Sequence, residues 1–175
     1  MSSSMPASLR RARALANTIA YLGHDDELAT PEQAERWLRE MGCDATVDDT
    51  ALERLRQFRT AVRAWVAALA DPQPARASAL GGVTLGVEVA DNAWRLRPLG
   101  SGIDAFLGAI AADLVYACAA GVSDRLKLCS HERCAIAFWD TTRNRSARYC
   151  NPRTCANTVR QRAYRIRRDD TGSRS

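Results

Sequence analysis

Four cysteines near the end of this 175-residue chain stand in two matched pairs: Cys129 and Cys134, then Cys150 and Cys155, each pair spanning four residues and the pairs separated by fifteen. Thiolate is a soft ligand. Two pairs of thiolates, each offered by one tight turn, form the donor set of a tetrahedral structural zinc site. The predicted ligands are therefore Cys129, Cys134, Cys150 and Cys155, holding one structural Zn²⁺ per chain. A disulfide framework is the weaker reading, because nothing in the sequence marks secretion and cytosolic thiols stay reduced. His131, inside the first pair, is either a substitute ligand or an exposed loop histidine. Cys43 and Cys118 stand alone and read as small buried residues.

The residues around the cysteines say what such a metal would position. Asn151 is a plausible N-cap and Pro152 a first helical residue, which places Cys155 in the first turn of a helix running to about Arg168. Val159, Ala163 and Ile166 continue the face of Cys155, and Arg153, Arg160, Arg162, Arg165, Arg167 and Arg168 occupy the rest. Within the spacer, 135–139 and 147–149 are expected to pair as short strands around a turn at 140–146. Phe138, Trp139 and Tyr149 offer aromatic cover for the metal, a core role for Trp139 being preferred to stacking on a base, and Asp140 and Asn144 are expected to hold the turn through side-chain-to-backbone bonds. Knuckle, hairpin and metal-pinned helix make a treble-clef-like unit. A lone helix crowded with like charge is marginal in water. Structural zinc, worth roughly 10–16 kcal/mol in small peptides, supplies what its apolar face cannot. At 1.5 Å per residue the helix is about 25 Å long, enough to lie along a nucleic-acid groove.

Charge shows the same division. Residues 1–124 carry 12 arginines and 16 acidic residues, a net −4. Residues 125–168 carry 12 Lys and Arg against 2 acids, a net +10, and the last seven residues add −1. A basic end on a weakly acidic body points to an anionic partner, nucleic acid before membrane. Lys127 is the only lysine, so arginine is simply this chain's usual cation; the clustering is what carries information.

Upstream, the period of the apolar residues predicts a mainly α (α+β) body. Helices are expected over 8–22, with Leu15, Ile19 and Leu22 inward, and after Thr30, where Pro31 and Gln33 complete a capping box and Gly42 ends the run. A third begins at Asp48 or Asp49 and buries Leu52, Leu55, Val62, Trp65, Val66 and Leu69. Residues 71–82, with two prolines and two glycines, read as a loop. The period then changes to two: Val83, Leu85, Val87 and Val89, a turn at Asp91-Asn92, then Trp94 and Leu96, a β-hairpin. A fourth helix over 101–120 turns Ile103, Phe106, Leu107, Ile110, Leu114 and Cys118 inward, and Trp37, Trp65 and Trp94 read as core. No run approaches the ~20 apolar residues of a membrane span. Met1 to Gly23 lacks a clear cleavage site and reads as the first helix of a cytoplasmic protein.

With these residues placed, a family resemblance comes into view. The segment "RLKLCSHERCAIAFWDTTRNRSARYCNPRTCANTVRQRAYRIRR", 125–168, resembles the CGNR zinc-finger domain of bacterial proteins. Phe138, Asp140, Thr142, Asn144, Ser146, Tyr149, Cys150, Cys155 and Asn157 fall on that domain's pattern. The upstream stretches "ALANTIAYL" and "LATPEQAERWLREMG" look like the ABATE-type domain that accompanies it. The resemblance implies a zinc-binding, DNA-binding transcription regulator. One departure stands out: the family's Cys-Gly-Asn-Arg is here Cys155-Ala156-Asn157-Thr158, which removes a cation near the helix start.

The sequence thus predicts a body at 1–124 that senses an effector or dimerises, a zinc unit at 125–168 and a flexible tail at 169–175. The expected nucleic-acid contacts are Arg143, Arg145 and Arg148 on phosphates, and Asn157, Arg160 and Arg165 at base edges, with Arg153 and Arg162 beside them. DNA is the first expected partner; structured RNA, or an acidic protein bound by an adaptor, are the alternatives. No membrane partner is expected, a homodimer would form through the body, and no effector is specified. No nucleophile motif, phosphate-binding glycine loop or His-Glu-x-x-His is present, so catalysis is not expected.

Overall fold

The computed structural model describes residues 4–21, 23–69 and 82–172, with the side chains of Ala163 and residues 166–172 outside that description. Leu22, nearly all of the expected loop at 71–82, the end of the tail and the side chains of Ile166, Arg167 and Arg168 therefore lie outside the described residues. Elements run in the order α1 (Leu9–Ala16), α2 (Pro31–Glu40), α3 (Asp49–Ala68), β1 (Leu85–Ala90), β2 (Ala93–Pro98), α4 (Gly102–Ala119), β3 (Leu126–Leu128), β4 (Ala137–Trp139) and α5 (Asn157–Gly172). The expected α+β composition, helices with two small hairpins and a terminal cysteine cluster, is what the chain forms.

Local signals set most boundaries. Thr30 Oγ1 accepts the Gln33 N–H while Gln33 Oε1 accepts the Thr30 N–H, a complete capping box with Pro31 at the first helical position. Asp48 caps α3 by accepting the Ala51 N–H at 2.7 Å. Asp91 and Asn92 both take positive φ, 51° and 60°, the two-residue turn whose twist matches the strands it joins. Gly108 lets α4 lie on β2: a Cβ there would stand 2.8 Å from Cβ of Pro98.

Two body expectations are corrected. The first helix stops at Ala16, because Asn17 turns its amide to Ala137 in β4, donating from Nδ2 at 3.0 Å and accepting the Ala137 N–H at 2.6 Å. Thr18 is buried and returns its hydroxyl to Leu15 O. Cys118 and Trp94 are exposed, not core, since α4 and the hairpin each turn part of their apolar surface outward.

One core joins the elements. Leu9, Leu15, Leu38, Leu55, Val62, Leu107 and Ile110 are buried together with Leu126 of β3 and Ala137 of β4. The β3–β4 hairpin therefore packs inside the helical core. Arg63 of α3 strengthens this joint, donating to Ala16 O at 2.6 Å and to Ala135 O at 2.9 Å. Arg59 is buried between Thr18 Oγ1, at 3.1 Å, and Asp26 Oδ1, at 2.6 Å. α4 is long and apolar enough to cross a membrane by length and composition, yet its Ile103, Phe106, Leu107 and Ile110 are spent on this core.

Candidate metal centre

β3 delivers Cys129 and β4 leaves from the end of the same turn. The Cys129 N–H donates to Ile136 O at 2.8 Å and the Cys134 N–H to His131 O at 2.9 Å, so both sulfurs come from one knuckle. Ala135, at φ 53°, reverses the chain into β4. The second pair arrives alongside: the Ser130 N–H donates to Arg148 O at 2.8 Å, and the Cys150 N–H points at Cys129 Sγ at 3.5 Å. As expected, Asn151 caps the next turn, its Oδ1 accepting the N–H groups of Arg153 and Thr154. The Ala156 N–H reaches back five residues to Asn151 O, so Pro152–Ala156 form a π-helical turn that precedes α5 and carries Cys155.

The four sulfurs meet. All lie within 4.8 Å of one another, with Cys134 to Cys150 at 3.5 Å and Cys150 to Cys155 at 3.7 Å. A tetrahedral zinc with bonds of ~2.3 Å has sulfur–sulfur edges of about 3.8 Å. A disulfide needs ~2.05 Å. Burial and the neighbouring sulfurs push the Cys150 thiol well above its ordinary value, and burial pushes Cys134 up as well. Burial also opposes ionisation of Cys129, but N–H donors from Cys150 and His131 outweigh it and hold that thiol low. Four thiolates this close need a cation among them. The donor set, spacing and burial fit Zn²⁺, and Cys129, Cys134, Cys150 and Cys155 can bind one such ion. His131 is outside the group; its Nδ1 lies 3.3 Å from the Arg133 N–H.

Several details of the expected unit are corrected. β4 pairs antiparallel with β3, Lys127 opposite Phe138, and not with 147–149. Phe138 and Tyr149 do pack around the sulfurs, while Trp139 takes the core role, against the helical body and not over the metal. The reason lies in Asp140, which is fully buried and takes the donors a second ladder would have used. Its Oδ1 accepts from Thr142 N at 2.8 Å and Thr142 Oγ1 at 2.6 Å; its Oδ2 accepts from Ala147 N at 2.9 Å and Lys127 Nζ at 2.7 Å. Burial pulls the Asp140 pKa upward, but Lys127, Thr142 and Ala147 together bring it down to about 2. Asn144, expected to share this duty, is exposed. α5 continues to Gly172, so 169–172 are helical where a tail was expected.

The predicted nucleic-acid residues divide into two groups. Arg145 is held by Asp124, at 2.7 and 2.8 Å, and by Gly121 O; Arg162 is held by Glu132 at 3.1 Å. Arg143, Arg148, Arg153, Arg160 and Arg165 are exposed and make no ion pair among the described residues, and Asn157 is exposed beside them. Arg133, in the knuckle, joins this group and was missed; its signal, a cation between two ligands, was in the sequence. Knuckle and α5 enclose an open groove of about 890 Å³ lined by His131, Arg133, Thr158, Gln161, Arg162 and Arg165.

Comparison with known families agrees with this geometry. A family model described as "ABATE: Putative stress-induced transcription regulator" matches residues 9–122, and the CGNR zinc finger model matches 125–168. The chain belongs to the ABATE family and ends in a CGNR zinc finger. No curated protein matches it. In this CGNR unit the departures are absorbed locally. Ala156 is buried in the π-helical turn, and the Thr158 hydroxyl donates to Thr154 O at 2.9 Å.

Proposed function

We propose that this ABATE–CGNR chain is a DNA-binding transcription regulator whose zinc unit presents α5 to duplex DNA. The observation that carries this reading is the state of the cations. Five of the predicted arginines, and Arg133, are exposed without ion-pair partners among the described residues, on a segment of net +10, while the body carries −4. A protein that used these arginines internally would pair them, as it pairs Arg59 and Arg145. Among the described side chains of α5, Asn157, Arg160, Arg162, Tyr164 and Arg165 are exposed, a surface open to a groove. The family description supports a regulator. Thiolate ligands call for a reducing compartment, which supports the cytoplasm as its place. The role we assign is binding without catalysis, since a zinc held by Cys129, Cys134, Cys150 and Cys155 would have its four positions filled by protein sulfur.

The test is a competition. Zinc-loaded protein is titrated onto a labelled genomic duplex at several salt concentrations, with unlabelled duplex DNA or structured RNA as competitor. The reading expects duplex DNA to compete best and log affinity to fall linearly with log salt, by about 0.9 for each phosphate contact. Preference for RNA moves the unit to an RNA-binding role. A flat salt response without affinity for either leaves a protein adaptor.

A further inference from the structure

The β1–β2 hairpin carries an apolar face that the described residues of the body cover only at its base. Strand register places Val87 opposite Leu96 and Val89 opposite Trp94, so these four share one side of the ribbon. Leu85 packs on the core and Pro98 lies against Gly108 of α4, but further out Val87 is 65% exposed, Val89 60% and Trp94 75%. Tyr116, exposed on α4, borders the hairpin, its Oη accepting the Leu96 N–H at the outer edge of β2. Soluble monomers rarely leave apolar patches of more than a few hundred Å² uncovered.

Among the described residues the edge of β1 is open as well. The Leu99 N–H donates inward to Thr84 O, whereas the Leu96 N–H points outward to Tyr116. Antiparallel alternation then turns the backbone N–H and C=O of Val87 and Val89 outward too, and no described element pairs with them. β1, "LGVEVA", holds no proline, no lysine and no bulge, the usual guards of an edge strand.

We propose that this edge is a homodimer interface: β1 of two copies pairs antiparallel about Val87, joining the hairpins into a four-stranded sheet. The strand is self-complementary in this register. Val87 meets its own copy, Leu85 meets Val89, and Gly86 meets Glu88, so apolar residues stand over apolar ones and no acid opposes an acid. Shifting the centre to Val89 would leave only the strand's end paired, and shifting it to Leu85 would drive the partner into the core. The charges also favour a second copy. Glu88 and Asp91 balance Arg95 and Arg97 on the hairpin, leaving no net sign to draw a charged protein, and the body's −4 opposes an anionic lipid surface. This surface is independent of the nucleic-acid reading, and its readout is oligomeric state.

The test uses the full zinc-loaded chain. Sedimentation equilibrium at micromolar concentration is expected to give a dimer. Val87→Lys, at an exposed position, puts two ammonium groups on the two-fold axis and is expected to weaken association roughly tenfold or more with unchanged circular dichroism. In a Cys118→Ser background, Val87→Cys is expected to form a disulfide-linked dimer under mild oxidant. Val89→Cys is not, because its own copy would lie about 14 Å away along the strand. A monomer throughout the concentration range, a dimer unaffected by Val87→Lys, or equal cross-linking at 87 and 89 would overturn the proposal.

Discussion

Lys127 Nζ lies 2.7 Å from Oδ2 of Asp140, Lys127 standing in β3 and Asp140 directly after its antiparallel partner β4, in the hairpin that links the helical core to the metal centre. Lys127 is the chain's single lysine, and Asp140 is fully buried. Lys127 Nζ also donates to the carbonyl oxygens of Arg145 and Ala147, so the 140–147 loop is wrapped around one ammonium group. Lys127→Met leaves a buried carboxylate without its cation and is expected to cost about 3 kcal/mol in denaturant unfolding. A loss below about 1 kcal/mol would show that Thr142 and Ala147 alone satisfy Asp140.

The same pair sets a pH dependence. The Asp140 carboxyl titrates at about 2 in the folded chain against an ordinary value of 3.8. A depressed folded value gives stability that is present above the ordinary value and is lost as pH falls from ~4 towards ~2, amounting to roughly 2 kcal/mol. Carboxyl ¹³C titration by NMR should place the Asp140 midpoint near the low value. A midpoint near 4 would mean the cradle does not favour the charged form.

Metal removal is expected to divide the molecule inside the CGNR unit. Leu126 and Ala137 are buried in the helical core, and Asn17 and Arg63 bond to the chain at Ala137 and Ala135. The π-helical turn and α5 have the sulfurs as their chief anchor. Hydrogen exchange after chelation should therefore speed up at residues 153–165 while 126–128 and 137–140 stay protected. Uniform loss of protection through α1 and α3 would show that zinc holds the whole chain together.

Arginines already engaged should matter less than those that are free. Arg153→Ala and Arg160→Ala are each expected to lower the salt slope of DNA binding by about 0.9 if one phosphate contact is lost. Arg145→Ala and Arg162→Ala should have smaller effects, since each contact to DNA must first displace Asp124 or Glu132. Equal slopes for all four variants would indicate a diffuse charge effect in place of particular contacts.

Much of the fold was legible because its signals are local. The Thr30–Gln33 capping box, the Asp48 cap, the Asp91-Asn92 turn and the Asn151 cap each join residues within a few positions of one another. The cysteine spacing was legible for a related reason: two turns of fixed geometry leave few other uses for four thiols. The features that escaped were decided at a distance. Asn17 ends α1 because it meets Ala137, 120 residues away, and no feature of "ALANTIAYL" announces that partner. Asp140 redirects β4 towards β3 by binding Ala147 and Lys127. Apolar period identified the faces of α4 and the β1–β2 hairpin, yet period does not say whether a face is covered by the same chain. Cys118 and Trp94 were misplaced on that account.

The most direct test of the account is selection of genomic fragments by the zinc-loaded protein at moderate salt, run beside Cys155→Ser. The wild-type chain should enrich a discrete set of duplex fragments, and the variant, with α5 released from its anchor, should not. Absence of enrichment by the zinc-loaded protein, or equal enrichment by both, would contradict a metal-positioned helix that binds DNA.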